Sequence, residues 1–489
     1  MCTHDRNDRS VKKLAAVSLV LAALLHPDCH KPNVAPDTPV TPSYIPDCLP
    51  GVSYALWSNA VDQDEDSVTL RFSWGDGDTS DRSPLFTDRE GMTMTHSWSA
   101  PGTFHVTAQA KDKRGAVSGW SSARSVLVIQ GWATTYGGTH GDFGNSVQQT
   151  QDGGYIIAGS VHRPLQTYSD VWLIKTDAAG DKTWDRTFGG TSPDCGCSVQ
   201  QTRDGGYIIA GWTGSFSTSY DLWLIKTDAG GNSEWTKTFG GTDKDEGNSV
   251  QQTTDGGYIV AGWTKSFGAG RGDVWLIKTD AHGDTMWTRT FGGASLDEAA
   301  SIQQTTDGGY VVVGTTHSYG VGGSSDVWLI KADAHGDSVW TRTFGGGGAD
   351  YGNSVRQTQD GGYIITGRDG SHSTGIYGTW LFKTDADGSM LWTRTFGEMN
   401  EGSSVWQTQD GGYVVAGHVS TYALLLRTDA NGDSIWDRIF GGAGTDAANS
   451  VEQTNDGGYI VTGWTKSFGA GKEDAWLIHI AADGRLLSQ

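Results

Sequence analysis

Gly247-Asn-Ser-Val-Gln-Gln-Thr-Thr-Asp-Gly-Gly-Tyr-Ile-Val-Ala-Gly-Trp-Thr264, followed by Asp273-Val-Trp-Leu-Ile-Lys-Thr-Asp280 and Trp287-Thr-Arg-Thr-Phe-Gly292, is one copy of a unit that recurs along most of this chain. Its tetrapeptide Asp-Gly-Gly-Tyr starts at Asp152, Asp204, Asp255, Asp307, Asp360, Asp410 and Asp456. The period is about 50 residues, the length of a four-stranded unit that closes into a β-propeller. The unit holds four short runs suited to strands: Ser-Val-Gln-Gln-Thr, Tyr-Ile-Val-Ala-Gly, Val-Trp-Leu-Ile-Lys and Trp-Thr-Arg-Thr-Phe, here called a to d. Asp-Gly-Gly joins a to b and Ala281-His-Gly-Asp284 joins c to d, and both are hairpins whose glycine accepts positive φ. These turns share one end of each blade. The b–c loop and the longer link from d to the next a share the opposite, long-loop end.

The strand-d tryptophans are Trp132, Trp184, Trp235, Trp287, Trp340, Trp392 and Trp436. The first precedes any strand a, and the last repeat stops after a strand c at Ala475-Trp-Leu-Ile-His479. Residues 132–136 are therefore expected to supply the outer strand of blade seven, closing the ring and removing a sheet edge. Pairing of Leu486–Gln489 in that place would break this expectation.

Outside the repeats the expected organisation is a signal peptide over 1–28, a spacer over 29–48 and an immunoglobulin-like sandwich over 49–129, with the propeller over 131–489. Arg6, Arg9, Lys12 and Lys13 precede an apolar run from Leu14 to Leu25, too short to span a bilayer and patterned as an export signal. Residues 30–48 carry Pro32, Pro36, Pro39, Pro42 and Pro46, as an extended spacer would. The chain of 489 residues has a formal charge of -21, which argues against nucleic acid or an anionic membrane as partner and suits a soluble exported protein. Five cysteines do not make a disulfide scaffold.

Three resemblances follow from these residues. Phe72-Ser-Trp-Gly-Asp-Gly-Asp-Thr79, His96-Ser-Trp98, Pro101-Gly-Thr-Phe-His-Val106 and Lys111-Asp-Lys-Arg-Gly115 resemble the PKD domain, which implies a β-sandwich used as a spacer or protein-contact module in exported proteins. The repeats resemble the Asp-Gly-Gly-Tyr propellers of exported bacterial and archaeal proteins, and more distantly the tryptophan-docking repeats of quinoproteins and the FG-GAP propellers. That likeness implies fold and little about activity. Cys29 follows the apolar run in the manner of a lipidated bacterial lipoprotein, with His26 and Asp28 in place of that pattern's Leu and small residue.

Two sets of residues carry candidate chemistry. Asp142, Asp194, Asp245, Asp297, Asp350 and Asp446, with Asn400 completing the series, enter strand a on the long-loop face. Either each caps its own loop, or a cation such as calcium sits among them. Asp62, Asp64, Glu65 and Asp66 offer the same choice between a solvated loop and calcium. The end of strand b differs between blades: Ser160, Trp212, Trp263, Thr315, Arg368, His418 and Trp464. Loop aromatics Phe216, Phe267, Tyr319 and Phe468 lie beside it. Aromatic faces with charged neighbours suit stacking on sugar rings or gripping a protein loop. No His-Glu-x-x-His, Gly-x-Ser-x-Gly or phosphate loop occurs. The reading is a secreted or cell-surface protein that binds extracellular glycan or protein, without a cofactor and without enzymatic activity. A structural display module and an extracellular polysaccharide hydrolase or lyase are the alternatives.

Overall fold

The computed structural model describes residues 33–482 apart from 88–89, 163–167, 372–376 and 398–399. The signal segment, Cys29 and Leu486–Gln489 lie outside the described residues. Among the described residues every regular element is a strand, and no helix is long and apolar enough to cross a membrane.

Seven four-stranded antiparallel sheets follow one another in the order a-b-c-d. Blade 3 shows the plan, with Asp245–Gln252, Tyr258–Thr264, Asp273–Thr279 and Thr285–Phe291 as its strands. The a strands of neighbouring blades lie against one another round the axis, and the d strands form the rim. In blade 7, Asp474–Ile480 pairs with Gly131–Tyr136, with His479 opposite Trp132. The outer strand of the last sheet thus comes from residues before the first repeat.

Every residue of Asp-Gly-Gly-Tyr has a structural task. Asp152 Oδ1 accepts from Gly154 N at 3.1 Å and from Thr150 Oγ1 at 2.5 Å, and its carboxylate meets Lys175 Nζ on strand c at 2.9 Å. Gly153 has φ +83, and a Cβ on Gly154 would stand 2.1 Å from the Thr176 carbonyl. Tyr155 is buried, its ring 6.0 Å from that of Trp132. Burial pushes the Asp152 carboxyl up, but the bonds from Thr150, Lys175 and Gly154 outweigh it and hold it at about 2.

The strand-d tryptophans dock onto the next blade. Trp235 of blade 2 covers Gly283 in the c–d turn of blade 3 so closely that a Cβ there would lie 2.7 Å from the indole. Trp184 sits likewise on Gly231 and Trp287 on Gly336.

Side chains on strand a close the ring in tiers. Ser146, Ser198, Ser249, Ser301, Ser354, Ser404 and Ser450 each accept the backbone N–H of a Val or Ile in the next blade at 3.2–3.4 Å. Gln149 and its six equivalents each accept the N–H of the residue before the Asp of a neighbouring Asp-Gly-Gly turn. These are backbone groups that a half-buried ring must satisfy, so the repeated Ser and Gln belong to the fold.

The sandwich has two sheets, one pairing Tyr54–Ser58 with Met92–His96, the other built on Gly102–Asp112 with Val68–Ser73, Val117–Trp120 and Arg124–Val128. Leu56, Leu70, Phe72, Trp98 and Val106 fill the space between them. The proline-rich segment corrects the expected spacer. It is extended, but it lies along the sandwich, with Asp37, Val40 and Ser43 donating to Val61, Asn59 and Trp57 carbonyls. Asn33 Nδ2 also bonds Asp112 Oδ2 at 2.9 Å. Prolines fix φ and prevent a full ladder, yet the intervening N–H groups still find acceptors, so the described part of 29–48 is sandwich rather than free linker.

Candidate functional site

The six entering aspartates are each engaged within their own blade. Asp142, Asp194, Asp245, Asp297, Asp350 and Asp446 are fully buried. Asp297 accepts from Gly293 N at 2.9 Å, Ser318 Oγ at 2.6 Å and Thr316 Oγ1 at 2.5 Å. Asp245 repeats this with Gly241, Ser266 and Thr264, and Asp446 with Gly442, Ser467 and Thr465. Asp350 bonds Gly346 N, Gly370 N and Ser371 Oγ, Asp194 bonds Gly190 N, Ser215 Oγ and Thr213 Oγ1, and Asp142 bonds Gly138 N and His162 N. Of the two readings, loop capping is the geometry observed. A metal-sized cluster of three among these carboxylates does not occur in the described residues.

Five of the six caps nevertheless have a second carboxylate beside them, and Asp446 has Tyr422 in that place. A Cβ on Gly292 would lie 1.8 Å from Asp273 Oδ1 and 2.9 Å from Asp297 Oδ2, so the glycine of Phe-Gly separates two buried acids. Asp273 Oδ1 has no hydrogen-bond partner. Burial raises the Asp273 carboxyl, and Asp297 raises it further against the bond from Ala269. Asp326 is raised in the same way beside Asp350.

Two carboxylate clusters of metal-binding size lie in the sandwich. Asp62, Asp64 and Asp66 form one, with Asp62 Oδ1 taking the N–H groups of Asp64 and Asp66. Lys113 Nζ and Arg114 Nε already meet Asp66 at 2.8 and 3.0 Å, which supplies the opposing charge. Asp76, Asp78 and His96 form the other, with His96 Nε2 2.7 Å from Asp76.

The variable strand-b residues lie at the long-loop ends of their own blades, each paired with a strand-a residue. Trp212 pairs across with Cys195, Trp263 with Glu246, Arg368 with Tyr351, His418 with Glu401 and Trp464 with Ala447. Trp263 Nε1 donates to Glu246 Oε2 at 3.1 Å, and Lys244 lies over the Trp263 ring at 5.5 Å. Trp212 meets Tyr220 edge-on at 5.1 Å. Lys466 lies over Trp464 at 5.7 Å, and Phe143 of blade 1 meets Trp464 edge-on. Arg368 stacks on Tyr377 at 4.0 Å and on Tyr351 at 5.2 Å, with its Nε buried and unpartnered. Glu298, on the same ring as Glu246, is raised by burial and by that neighbour.

Two of the expected site residues stand elsewhere. Phe267 stacks on Trp275 at 5.3 Å, at the rim rather than beside Trp263. Phe468 packs at a tilt against Trp476 and is met edge-on by Tyr54 of the sandwich, so it is an interdomain contact. A b–c loop reaches outward over strand c, which separates its aromatics from the axis.

The channel wall also holds a set that the repeat reading passed over. Gln148, Gln200, Gln251 and Gln303 each accept the N–H of the following blade's glutamine at 2.6 Å. Blades 5 to 7 carry Arg356, Trp406 and Glu452 at that position. Arg356 stacks over Trp406 at 4.7 Å, and Glu452 accepts from Gln149 N at 2.7 Å. Burial pushes the Glu452 carboxyl up to about 7, against the pull of that bond and of Arg356. The break in the glutamine column was visible in the aligned repeats.

The PKD domain family profile matches residues 41–124, which begins within the proline-rich segment, as the hydrogen bonding does. The regulatory protein FlaEY of Caulobacter vibrioides is 28% identical over 179 residues, 31% of this chain, and the chain spans only 19% of that relative's length. Among solved structures, the PKD domain of an M14-like peptidase from a Thermoplasmatales archaeon is 27% identical, covering 20% of this chain and 98% of that one, with TM-score 0.19. Drosophila Plexin A in complex with Semaphorin 1b is 8% identical, covering 72% of this chain and 88% of that one, with TM-score 0.43. The PQQ-bound aldose sugar dehydrogenase of Streptomyces coelicolor is 9% identical, covering 72% and 98%, with TM-score 0.37. Residues 41–124 are a PKD domain, and a seven-bladed propeller follows it.

Proposed function

We propose that this is an exported binding protein, secreted or held at the cell surface, whose propeller recognises glycan or protein across the mouth of its long-loop face. One observation carries the reading. At the strand-b position that differs most between blades, Trp212, Trp263 and Trp464 stand half-buried round one channel mouth, beside Lys244, Glu246 and Lys466. The hydrogen-bonded tiers need none of these side chains, so the mouth is free to carry recognition. An indole face covers the apolar face of a sugar, while adjacent carboxylates and amines bond its hydroxyls. The same groups also grip a protein loop. The PKD domain supports export, since such domains are common in exported proteins.

Binding is favoured over hydrolysis or lysis by the state of the acids and bases. Asp350 and Asp446 are spent as loop caps, and Arg368 is packed between two tyrosines. The test is the full chain on a glycan array and in pull-downs from extracellular material, beside the Trp263→Ala/Trp464→Ala variant. The variant should lose the captured ligand and keep the parent's thermal unfolding profile. Equal capture by both proteins would refute the assignment of the mouth.

A further inference from the structure

The rim of the propeller carries a repeated groove, away from the channel mouth. Between blades 2 and 3 it has a volume of about 640 Å³ and is lined by Phe239, Phe267 and Trp275. Between blades 3 and 4 it is about 510 Å³, lined by Phe291, Tyr319 and Trp328. Between blades 1 and 2, Phe216 stacks on Trp223 at 5.2 Å in the same way. Phe216, Phe267 and Tyr319 are 56%, 45% and 50% exposed, although each packs at a tilt against a buried tryptophan.

Between blades 6 and 7 the same groove is filled by the chain itself. Phe440, Phe468 and Trp476 stand where Phe239, Phe267 and Trp275 stand. Leu49 and Ile129 pack with them in one apolar cluster, and Tyr54 meets Phe468 at 5.7 Å. The Asp47 N–H donates to the Ile439 carbonyl on the outer strand of blade 6 at 3.0 Å, and its carboxylate lies 4.0 Å from Arg438 Nε. The plug is thus the segment Asp47-Cys-Leu-Pro-Gly-Val-Ser-Tyr54, which turns at Pro50-Gly51 with the Val52 N–H donating to the Leu49 carbonyl at 3.3 Å, and has an acid two residues before a leucine and a tyrosine five after it.

We infer that the open grooves of blades 2 to 4 dock a protein partner through a turned segment of this chemistry: an acid, an aliphatic side chain and an aromatic one, with a backbone N–H on the outer strand. The apolar floor is the same as in the filled groove. A cation stands where Arg438 faces Asp47, namely Lys237 and Arg289, now in exposed ion pairs with Asp284 and Asp337 that an incoming acid can exchange. The outer strands end the sheet order, so their free edges can take a bond like that of Asp47. The rims differ in a telling way. Where the filled groove has Ile439 and Ala133, the open ones have Thr238 and Thr288, or Thr290 and Thr341. A threonine rim tolerates water when no partner is present, as in interfaces that form and release. A glycan is the poorer occupant, because the known plug is polypeptide.

The test uses a fluorescein-labelled peptide of residues 45–56 with Cys48→Ser, titrated into the full chain and followed by fluorescence polarisation. The blade 6/7 groove is occupied, so the peptide must use the others. Saturable binding is expected, weakened by about tenfold or more in the Phe216→Ala/Phe267→Ala/Tyr319→Ala variant, and to a similar degree by Leu49→Ala in the peptide. The peptide substitution keeps the test decisive if the triple variant fails to fold. No binding at millimolar peptide, binding indifferent to both changes, or displacement of oligosaccharide rather than peptide from these grooves would overturn the inference.

Discussion

Replacing Glu452 by glutamine should stabilise this propeller in a pH-dependent way. The residue occupies the channel position where blades 1 to 4 carry glutamine, and its Oε2 accepts the Gln149 N–H at 2.7 Å. A glutamine oxygen makes the same bond in blades 1 to 4, at 2.6 Å. The substitution therefore keeps the bond between blades and removes a buried charge. Burial holds the carboxyl at about 7 instead of its ordinary 4.5, with the Gln149 bond and the Arg356 attraction already counted against it. At about 1.4 kcal/mol per pH unit, the ionised form costs the fold about 3 kcal/mol. The sign follows from the direction. A folded-state value above the unfolded one means that the neutral form is preferred in the fold. The penalty is absent below about 4.5, where both states are protonated, and complete above about 7. Urea denaturation of parent and Glu452→Gln, followed by Trp fluorescence, should give coincident midpoints near pH 4.5 and a clearly higher midpoint for the variant at pH 8. A gap that does not change with pH, or a variant less stable at pH 8, would refute the argument and would show that Glu452 and Arg356 act as a stabilising pair.

Gly283→Ala should destabilise more than Gly256→Ala, measured as the difference in thermal midpoints. Both glycines have positive φ, but a Cβ on Gly283 meets Trp235 at 2.7 Å whereas one on Gly256 meets nothing within 4 Å, so backbone strain of about 1–2 kcal/mol is shared and the indole clash is extra. Equal losses would show that tryptophan docking is loose. Asp307→Asn should move acid unfolding to higher pH. Burial raises the Asp307 carboxyl, but bonds from Thr305, Gly309 and Lys331 hold it at about 2, so it stabilises the fold above its unfolded value near 4 and loses that effect as pH falls toward 2. An unchanged acid midpoint would place the ion pair with Lys331 among surface pairs of no consequence.

The repeat was legible because each of its residues answers a local demand that sequence exposes. Gly153 needs positive φ, Asp152 caps its turn, and Ser146 and Gln149 serve backbone groups of the neighbouring blade. Such demands recur in every blade and print a pattern. What failed to print depends on direction in space. Phe267 and Trp263 are four residues apart, yet a loop that folds outward over strand c sends one to the rim and leaves the other at the mouth. Asp297 and Asp273 share a joint only because one blade's strand c meets the next blade's strand a, a contact across 24 positions that no local pattern announces. The proline-rich segment misled for a related reason. Pro36, Pro39 and Pro42 deny a continuous ladder, but the N–H groups of Asp37, Val40 and Ser43 were still free to bond.

Chain connectivity explains why the sandwich fills one groove and leaves its equivalents open. The last sandwich strand ends at Val128, and the strand that closes blade 7 begins at Gly131. Because that closing strand is the outermost of its sheet, the sandwich must emerge at the rim of blade 7, where Ile129 is already within the groove. The groove itself is not special to this joint. It arises wherever a strand-d phenylalanine, a strand-c tryptophan and a b–c loop aromatic meet, which also happens at blades 2 to 4. Occupation is therefore set by topology, and the capacity to be occupied by the repeat. A protein that closes its ring with a strand leading out of a separate domain obtains a fixed interdomain joint from one groove and keeps its homologues on the rim available.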